Sequence, residues 1–172
     1  MSTTNTLSIR RAREEDASLL ASAQRAIAQR PGLLASTPEE IVDDEVRAKI
    51  LELEAGESGL FIVAELGGAA VGHAFLEPLS LAATSHVVRL TIAVHDGHQR
   101  HGVGRALMNE LLSWAQSEPR VEKVELQVRA SNDAAISLYG SLGFVEEGRK
   151  TRRLKIGPGE YLDDVYMALW VG

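Results

Sequence analysis

The spacing of the apolar residues changes along this chain, and the changes restrict the folds that it can adopt. In some segments apolar residues recur every three or four positions, which is typical of a helix with one buried face. In others they alternate with polar residues, which is typical of a strand. Taken in order, the segments predict the arrangement β-α-α-β-β-β-α-β-α-β-β, and therefore an α/β (α+β) protein.

Four segments are predicted to be helices. Acidic residues at 14–16 stand where the dipole of a first helix favours them. The motif Thr37-Pro38-Glu39-Glu40 combines an N-cap, an early proline and a capping-box glutamate at the start of a second helix. A third helix follows from Val103, and Asn132 caps a short fourth that stops at Gly143. The residues predicted to share one helix face are Leu19, Leu20, Ala23 and Ile27 in the first helix, Val42, Val46, Ile50 and Leu53 in the second, and Leu107, Met108, Leu111 and Ala115 in the third.

Seven segments are predicted to be strands, namely residues 7–11, 60–65, 69–77, 86–94, 121–129, 144–154 and 161–170. Gly67-Gly68 joins the second and third as a hairpin turn. The loop at residues 79–85 is the most flexible-looking connection, and we expect a substrate entrance there.

The composition fits a single domain over residues 1–172. With 45% hydrophobic and 24% charged residues, the chain can bury a core without cross-links. It has no cysteine, which excludes disulfides and cysteine-ligated metals. The net charge of −6 and the pI of about 5.4 argue against a nucleic-acid partner. Neither the polar residues 1–5 nor any later segment looks like a signal peptide or membrane span, so we expect a cytoplasmic protein without a membrane partner.

The segment that carries the chemistry joins a predicted buried strand to the third helix. It reads Val94-His95-Asp96-Gly97-His98-Gln99-Arg100-His101-Gly102-Val103-Gly104-Arg105. The first amides of a helix have no partner within the helix and, with the helix dipole, form an anion site. Glycines let a phosphate approach the backbone, and the two arginines add charge-assisted hydrogen bonds. We therefore expect a pyrophosphate site; the alternative is an ordinary glycine-containing helix start.

Two nucleotide-binding motifs do not fit this segment. A Walker A loop needs Lys and Ser/Thr after its last glycine, and a Rossmann fingerprint needs a small residue where this chain has Leu107. The hexapeptide Gln99-Arg100-His101-Gly102-Val103-Gly104 instead resembles the Gln/Arg-x-x-Gly-x-Gly/Ala coenzyme A loop of the GCN5-related N-acetyltransferases, the GNAT family.

A second motif further along the chain strengthens the resemblance. The stretch from Leu126 to Phe144 is similar to the family pattern Val-x-x-x-Asn-x-x-Ala-x-x-Leu-Tyr-x-x-x-Gly-Phe, with Asn132 and Tyr139 at its polar positions. The resemblance covers the chain from Leu7 onward. It implies a mixed, mostly antiparallel sheet of six to seven strands, flanked by four helices and splayed between strands 4 and 5.

The resemblance also implies how the co-substrate, acetyl-CoA, is bound. Its pantetheine arm pairs with the backbone of strand 4, and its pyrophosphate lies on the loop. Asn132 matches a residue that reaches the arm, unless it only caps a helix. Tyr139 matches a tyrosine near the sulfur, where it acts as a general acid, unless it is only a core residue. The co-substrate contacts implied in this way are Ile92, Ala93, Val94, Gln99, Arg100, His101, Gly102, Val103, Gly104, Arg105 and Asn132.

The usual bases of the family are missing. Its members often carry a glutamate or tyrosine at the position of Val88, or a histidine at that of Gln127, and neither residue here takes a proton at neutral pH. Glu77, His86 and Glu125 are the remaining candidates, although each could be only structural. A terminal α-amine, with a pKa of about 8, needs less help than a lysine amine at about 10.4. This favours α-amines as acceptors.

His95, His98 and His101 recur every third residue and raise the question of a metal site. Loop residues with this spacing converge only by chance, and Asp96 is the only acidic residue among them. We expect no metal.

The ending Gly159-Glu160-Tyr161-Leu162-Asp163-Asp164-Val165-Tyr166-Met167 resembles a bacterial branch that acetylates small amines, including amino acids, and also resembles phosphinothricin-type acetyltransferases. The resemblance therefore implies acetyl transfer to a small-molecule primary amine. The alternatives are acetylation of a protein N-terminus, which an open groove between the loop at residues 79–85 and the last hairpin would favour, and a non-catalytic acyl-CoA sensor. A homodimer is common among such proteins.

Overall fold

The computed structural model describes residues 6–172, so residues 1–5 and the signal-peptide prediction made for them lie outside it. No helix within the described range is long and apolar enough to cross a membrane. The element order confirms the predicted one. The elements are β1 (Leu7–Arg11), α1 (Ala17–Ala28), α2 (Asp43–Ala55), β2 (Leu60–Leu66), β3 (Ala69–Pro78), β4 (Val87–Val94), α3 (Val103–Ser117), β5 (Lys123–Arg129), α4 (Asp133–Ser141), β6 (Val145–Gly157) and β7 (Glu160–Trp170).

One sheet of seven strands, ordered β1-β2-β3-β4-β5-β7-β6, organises the chain. All neighbouring strands are antiparallel except β4 and β5, which run parallel and pair only at residues 87–89 and 123–125. Beyond these residues β4 keeps β3 as its neighbour and β5 keeps β7, so the two strands part and leave a wedge. The predicted mixed sheet, splayed between strands 4 and 5, is confirmed.

Two apolar clusters hold the central strands in place. In one, Leu107 and Leu111 of α3 share a buried cluster with Val88 and Val124, which lie opposite each other where β4 and β5 are still paired. In the other, α1 and α2 pack against β2 on the opposite face, with Leu20 and other side chains fully buried. The central strands are thereby fixed from both sides, which keeps the walls of the wedge in place.

The first two helices begin later than the sequence predicts. The acidic run and the proline motif form only the short 3-10 turns Glu14–Asp16 and Pro38–Glu40, and the helices start at Ala17 and Asp43. The predicted capping box is present, with the Thr37 amide donating to the Glu40 carboxylate at 2.8 Å. The turn nevertheless ends directly afterwards, because the next residue adopts an extended conformation.

Two residues predicted to face the core are exposed instead. Leu19 is 53% and Val42 is 45% exposed. The helix that starts at Ala17 buries Leu20 and Ala21, so Leu19 turns about 100° away from the buried stripe. Val42 stands outside α2, in an extended conformation at its N-cap.

The connection between α1 and α2, residues 29–42, touches both walls of the wedge. Arg30 pairs with Asp96, just beyond the end of β4 (Nη2 to Oδ1, 2.5 Å). Gly32 lies so close to the last hairpin that a Cβ on it would stand 2.5 Å from Leu162 Cδ1. The connection therefore bridges the β4 side and the β6–β7 side.

The loop at residues 79–85 does not form the predicted entrance. It lies at the amino end of β4, whereas the strands part toward the carboxyl end of β4. Much of it folds back as the 3-10 turn Ala82–Thr84, and the Leu79 amide donates to the Val87 carbonyl at 3.2 Å. The prediction was wrong because the amino end is the end where β4 and β5 are still paired.

β6 is the outer strand at one edge of the sheet, and its pairing with β7 is irregular. The register shifts at three places, and Arg152 adopts a left-handed φ of 51°. The strand also carries the basic residues Arg149, Lys150, Arg153 and Lys155. Bulges and positive charges on an edge strand hinder pairing with other chains.

Gly32→Ala tests whether the 29–42 connection is held against the hairpin. Gly68 is a matched control, because its φ of 84° is close to the 86° of Gly32 but a Cβ there would meet no atom within 4 Å. We expect Gly68→Ala to lower the free energy of unfolding by about 1–2 kcal/mol. Gly32→Ala should lower the free energy of unfolding by about 1–3 kcal/mol more than Gly68→Ala does, because its methyl group also clashes with Leu162. Urea denaturation measures both, and equal losses would contradict a fixed contact.

Candidate active site

The wedge leaves backbone groups of β4 without a strand partner. The His95 amide donates to the Val71 carbonyl of β3 at 2.9 Å. In an antiparallel pair the bonded residues alternate, so Ala93 also bonds to β3, whereas Ile92 and Val94 direct their N–H and C=O groups toward β5. Since β5 has moved away, the backbone groups of Ile92 and the amide of Val94 are available to a ligand, whereas the Val94 carbonyl accepts from Gln99 Nε2 at 3.3 Å. Ala93 was predicted to bond a ligand in the same way, but its N–H and C=O groups are hydrogen-bonded to β3.

The loop from β4 to α3 is bent by three left-handed residues, Gly97 (φ 83°), Arg100 (φ 64°) and Gly102 (φ 81°). Gln99 stabilises the bend, because its side-chain oxygen accepts from the Gly97 amide at 3.1 Å. α3 then begins at Val103, and no side chain caps it. Its first amides are therefore directed at the wedge without an acceptor, as an anion site requires.

A cleft of about 560 Å³ extends from this helix start along the wedge. Arg30, Arg100 and Arg105 line it, and no acidic side chain does. In a chain with a net charge of −6, this local positive charge favours a polyanionic ligand. The predicted site residues in its walls are Ile92, Ala93, Val94, Gln99, Arg100, Gly102, Gly104, Arg105, Asn132 and Tyr139.

Two residues of the predicted loop set have side chains outside the cleft. His101 is exposed, and Val103 is 2% exposed in the core below Gly72. Their backbone amides remain part of the loop and of the helix start. The side chain of Val103 thus anchors the helix that presents those amides.

α4 brings Asn132 and Tyr139 to the cleft. The Asn132 side-chain oxygen accepts from the Ala135 amide at 3.2 Å, so the residue does cap the helix, and its NH₂ group remains for a ligand. Tyr139 is 7% exposed, and its ring packs against Phe144 with centroids 5.9 Å apart. Burial raises the pKa of Tyr139 to about 12, so the phenol keeps its proton at neutral pH.

A second, smaller cavity of about 280 Å³ adjoins the cleft. The walls of the two cavities share Leu34, Ile92 and Ala93. Leu34 belongs to the 29–42 connection, and the other two belong to the parted end of β4. A ligand that extends along the wedge therefore reaches a separate chamber beyond these three residues.

This chamber is mostly apolar, with two charged residues. Phe61 and Phe75 lie in its wall with ring centroids 5.0 Å apart, and α2 adds Glu45 and Lys49. Lys49 Nζ lies 2.8 Å from the carboxylate of Glu77, which does not itself line the chamber. Glu77, a predicted base candidate, is thus the ion-pair partner of a wall residue.

The other two base candidates lie where β4 and β5 are still paired. The ring of His86 stacks on Trp170 with centroids 6.4 Å apart. The carboxylate of Glu125 lies 2.9 Å from Lys123 Nζ. Neither residue lines the cleft or the chamber. The structure thus brings together the residues predicted to contact the co-substrate but does not bring these bases to them.

The structure also joins two histidines that the sequence analysis did not connect. His73 is fully buried, and its Nδ1 lies 2.9 Å from Nε2 of His95. Burial lowers the pKa of His73 to about 3, assisted by the neighbouring His95, and burial also lowers the pKa of His95. Both rings are therefore neutral at pH 7. Among residues 6–172 no group of three or more His, Cys, Asp or Glu side chains is arranged to hold a metal ion.

The cleft has walls that the sequence analysis missed. They come from the end of α1, the 29–42 connection and α4, namely Ile27, Arg30, Leu33, Leu34, Ala134, Ala135 and Leu138. Of these wall residues, only those of α4 could have been predicted from the sequence, because the helical spacing places Ala135 on the same face as Tyr139. The connection carries no periodic pattern, so its place over the wedge was not predictable from spacing.

Known acetyltransferases are similar to this chain. The model of the acetyltransferase (GNAT) family matches residues 27–144. The L-amino acid N-acetyltransferase AaaT of Escherichia coli (strain K12) is 35% identical over 107 residues, which cover 62% of this chain and 65% of that protein. The chain spans less than two thirds of that relative's length, and the matches to two further curated relatives cover 58% and 56% of theirs.

Solved structures share the fold over nearly the whole chain. A phosphinothricin acetyltransferase from Sinorhizobium meliloti, in complex with acetyl-CoA, has a TM-score of 0.87 at 20% identity, over 97% of this chain and 89% of that one. A ribosomal-protein-alanine N-acetyltransferase from Brucella melitensis has a TM-score of 0.82 at 29% identity, over 95% and 99% of the two chains. At 20% identity the first likeness shows the fold alone.

Substitution of Asn132 separates helix capping from ligand contact. Serine caps a helix about as well as asparagine, so we expect Asn132→Ser to melt close to the wild type. Its Kd for acetyl-CoA should rise about threefold to tenfold, because one hydrogen bond to the ligand is lost. Asn132→Ala should also lose about 1 kcal/mol of unfolding free energy, because the cap is gone. Titration calorimetry and thermal melts measure the two effects; unchanged affinity in the serine variant would mean that Asn132 is only a cap.

Proposed function

Because the chain belongs to the acetyltransferase (GNAT) family, we propose that it transfers the acetyl group of acetyl-CoA to a small primary amine, such as the α-amine of an amino acid. The observation that carries this proposal is the small chamber joined to the anion-binding cleft at Leu34, Ile92 and Ala93. With about 280 Å³, the chamber has room for a small molecule at the end of the cleft.

The residues of the cleft fit acetyl-CoA. The uncapped start of α3, with Arg100 and Arg105, suits a pyrophosphate. The free backbone groups of Ile92 and the free amide of Val94 suit the amides of a pantetheine arm. A Cβ at Gly102 would meet no protein atom within 4 Å, so the space above that residue is open to a phosphate. When bound, acetyl-CoA supplies an activated acetyl thioester.

Tyr139 is the residue we assign to the leaving sulfur. During transfer the amine nitrogen bonds to the acetyl carbon, the carbon–sulfur bond breaks, and the amine gives up a proton. A phenol with a pKa of about 12 is a weaker acid than a thiol, whose ordinary value is about 8.5. Tyr139 therefore assists chiefly by donating a hydrogen bond to the developing negative charge. The motif predicts a general acid, whereas we assign Tyr139 the more limited role of a hydrogen-bond donor.

The acceptor amine needs no fixed base in this proposal. Glu77, His86 and Glu125 lie outside the chamber wall, and an α-amine with a pKa of about 8 is partly neutral at pH 7. Its proton can leave to solvent. Glu45 in the wall supplies a negative charge that attracts the ammonium form into the chamber.

A second candidate function is acetylation of a protein N-terminus. It is favoured by the 29% identity to the ribosomal-protein-alanine enzyme over 95% of this chain. The contact of Gly32 with Leu162 argues against it, because a peptide needs an open groove between the 29–42 connection and the last hairpin. A tetrapeptide with a free N-terminus should therefore be acetylated more slowly than the free amino acid at its first position; the reverse order would favour this second function.

A panel of amines tests the proposed reaction. We expect free CoA to be released with at least one α-amino acid or small amine, and not with the same compound after N-acetylation. A thiol reagent gives a clean assay, because the chain has no cysteine that could react with it. If acetyl-CoA binds but no amine in a broad panel releases CoA, acetyl transfer to small amines is excluded.

Tyr139→Phe tests the assignment at the sulfur. We expect kcat to fall by about 10²-fold, since a donor to the developing charge is lost. The Kd for acetyl-CoA should stay within about twofold of the wild type, because the ring still fills its place beside Phe144. Because the pKa of Tyr139 is raised to about 12, the wild-type rate should show no loss from phenol ionisation across the neutral and mildly alkaline range. An unchanged kcat in the variant would remove Tyr139 from the mechanism.

A further inference from the structure

A chain of hydrogen bonds, buried at its centre and partly buried at its ends, connects the chamber wall to the start of the loop proposed to bind phosphate. Gln24 Nε2 of α1 lies 2.9 Å from His73 Nε2, and His73 Nδ1 lies 2.9 Å from His95 Nε2. His95 Nδ1 lies 3.1 Å from the carbonyl oxygen of Ala70. Gln24 and His73 line the chamber, and His95 is the first residue after β4. No step of the proposed reaction uses these side chains.

The bonding partners allow only one placement of protons in the neutral rings. A carbonyl oxygen only accepts, so His95 Nδ1 carries the hydrogen and His95 Nε2 is an acceptor. His73 Nδ1 must then donate to it, which leaves His73 Nε2 to accept from the amide of Gln24. Burial keeps both rings neutral at pH 7. Every polar atom of the two rings is satisfied in this single arrangement.

The pair stands at the point where the strained loop begins. His95 also bonds through its backbone, with its amide on Val71 at 2.9 Å and its carbonyl oxygen accepting from the His98 amide at 3.1 Å. The next residues include three left-handed positions, one of them the non-glycine Arg100. A left-handed non-glycine residue costs about 1–2 kcal/mol and persists only where its surroundings hold it. The imidazole pair is the buried attachment on the β4 side of that strain, and Val103 is the one on the α3 side.

We infer that His73 and His95 act as one positioning unit, which holds the start of the pyrophosphate loop against β3 and thereby sets the affinity for acetyl-CoA. This inference rests on the proposed function, because it assumes that the loop binds the co-substrate. In this positioning role neither imidazole contacts the co-substrate. Their effect is exerted through the backbone that follows His95.

His73→Phe and His95→Phe test the inference, because phenylalanine preserves ring packing and removes the bonds. We expect each variant to raise the Kd and KM for acetyl-CoA about tenfold, the loss expected for one strong buried hydrogen bond. The kcat of His95→Phe at saturating acetyl-CoA should change less than threefold, because His95 lines neither cavity. His73 lines the chamber, so its variant is judged by the Kd for acetyl-CoA alone. Titration calorimetry gives the Kd without any need for turnover.

The double variant and a matched control separate positioning from simple destabilisation. If the two rings act as a unit, the double variant should bind acetyl-CoA about as well as either single one rather than about a hundredfold worse. Val63→Ala removes a fully buried side chain that is directly opposite His73 in the register and lines neither cavity. It should lower the melting temperature and leave the Kd unchanged.

Several results would overturn the inference. They are an unchanged Kd in folded His73→Phe or His95→Phe, additive losses in the double variant, or an equal loss of affinity in Val63→Ala. If the phenylalanine variants do not fold, ¹⁵N NMR of the wild type still tests the unit, because a ring protonated at Nε2 instead of Nδ1 would break the chain of hydrogen bonds and overturn the inference. Wild-type protein that does not bind acetyl-CoA would contradict the proposed function instead, so the two failures are distinguishable.

Discussion

The parallel pairing of β4 with β5 ends after three residues on each strand, and the rest of the site depends on that break. Hydrogen bonding normally uses all backbone groups of a central strand, so a gap in the middle of a sheet needs support from outside it. The support comes from α3 and its apolar cluster on one face and from α1 and α2 on the other. The break leaves backbone groups of β4 free and directs them at the ligand space.

The loop at the carboxyl end of β4 converts this gap into a binding site. Its three left-handed residues turn the chain so that α3 begins with uncapped amides beside Arg100 and Arg105. A chain with excess acidic residues thereby concentrates positive charge in one cleft. The buried imidazoles of His73 and His95 lie directly behind this turn, so neutral hydrogen bonds hold its base while exposed charges serve the ligand.

Sequence patterns predicted the parts of this site that depend on local structure. A glycine-bearing helix start and the Asn132-to-Tyr139 spacing on one helix are local, and both reached the cleft. Sequence patterns did not predict the positions of residues that are set by contacts with segments far away in the chain. The 29–42 connection has no periodicity. Leu19 was predicted to share the buried face, but the helix turns it about 100° from Leu20 and toward solvent. His73 lies in a strand whose pairing with β4 no local pattern indicates. Burial, assisted by the neighbouring His95, lowers the pKa of His73, and both causes are properties of the folded chain.

The irregular, basic edge formed by β6 has a consequence for self-association. A second molecule cannot readily add a strand there, because the register shifts leave no continuous row of backbone groups and the positive charges of two such edges would repel each other. The molecule is thus protected on this side against stacking into extended cross-chain sheets. A symmetric assembly that used this edge would have to form through side-chain contacts instead of a ladder shared between subunits.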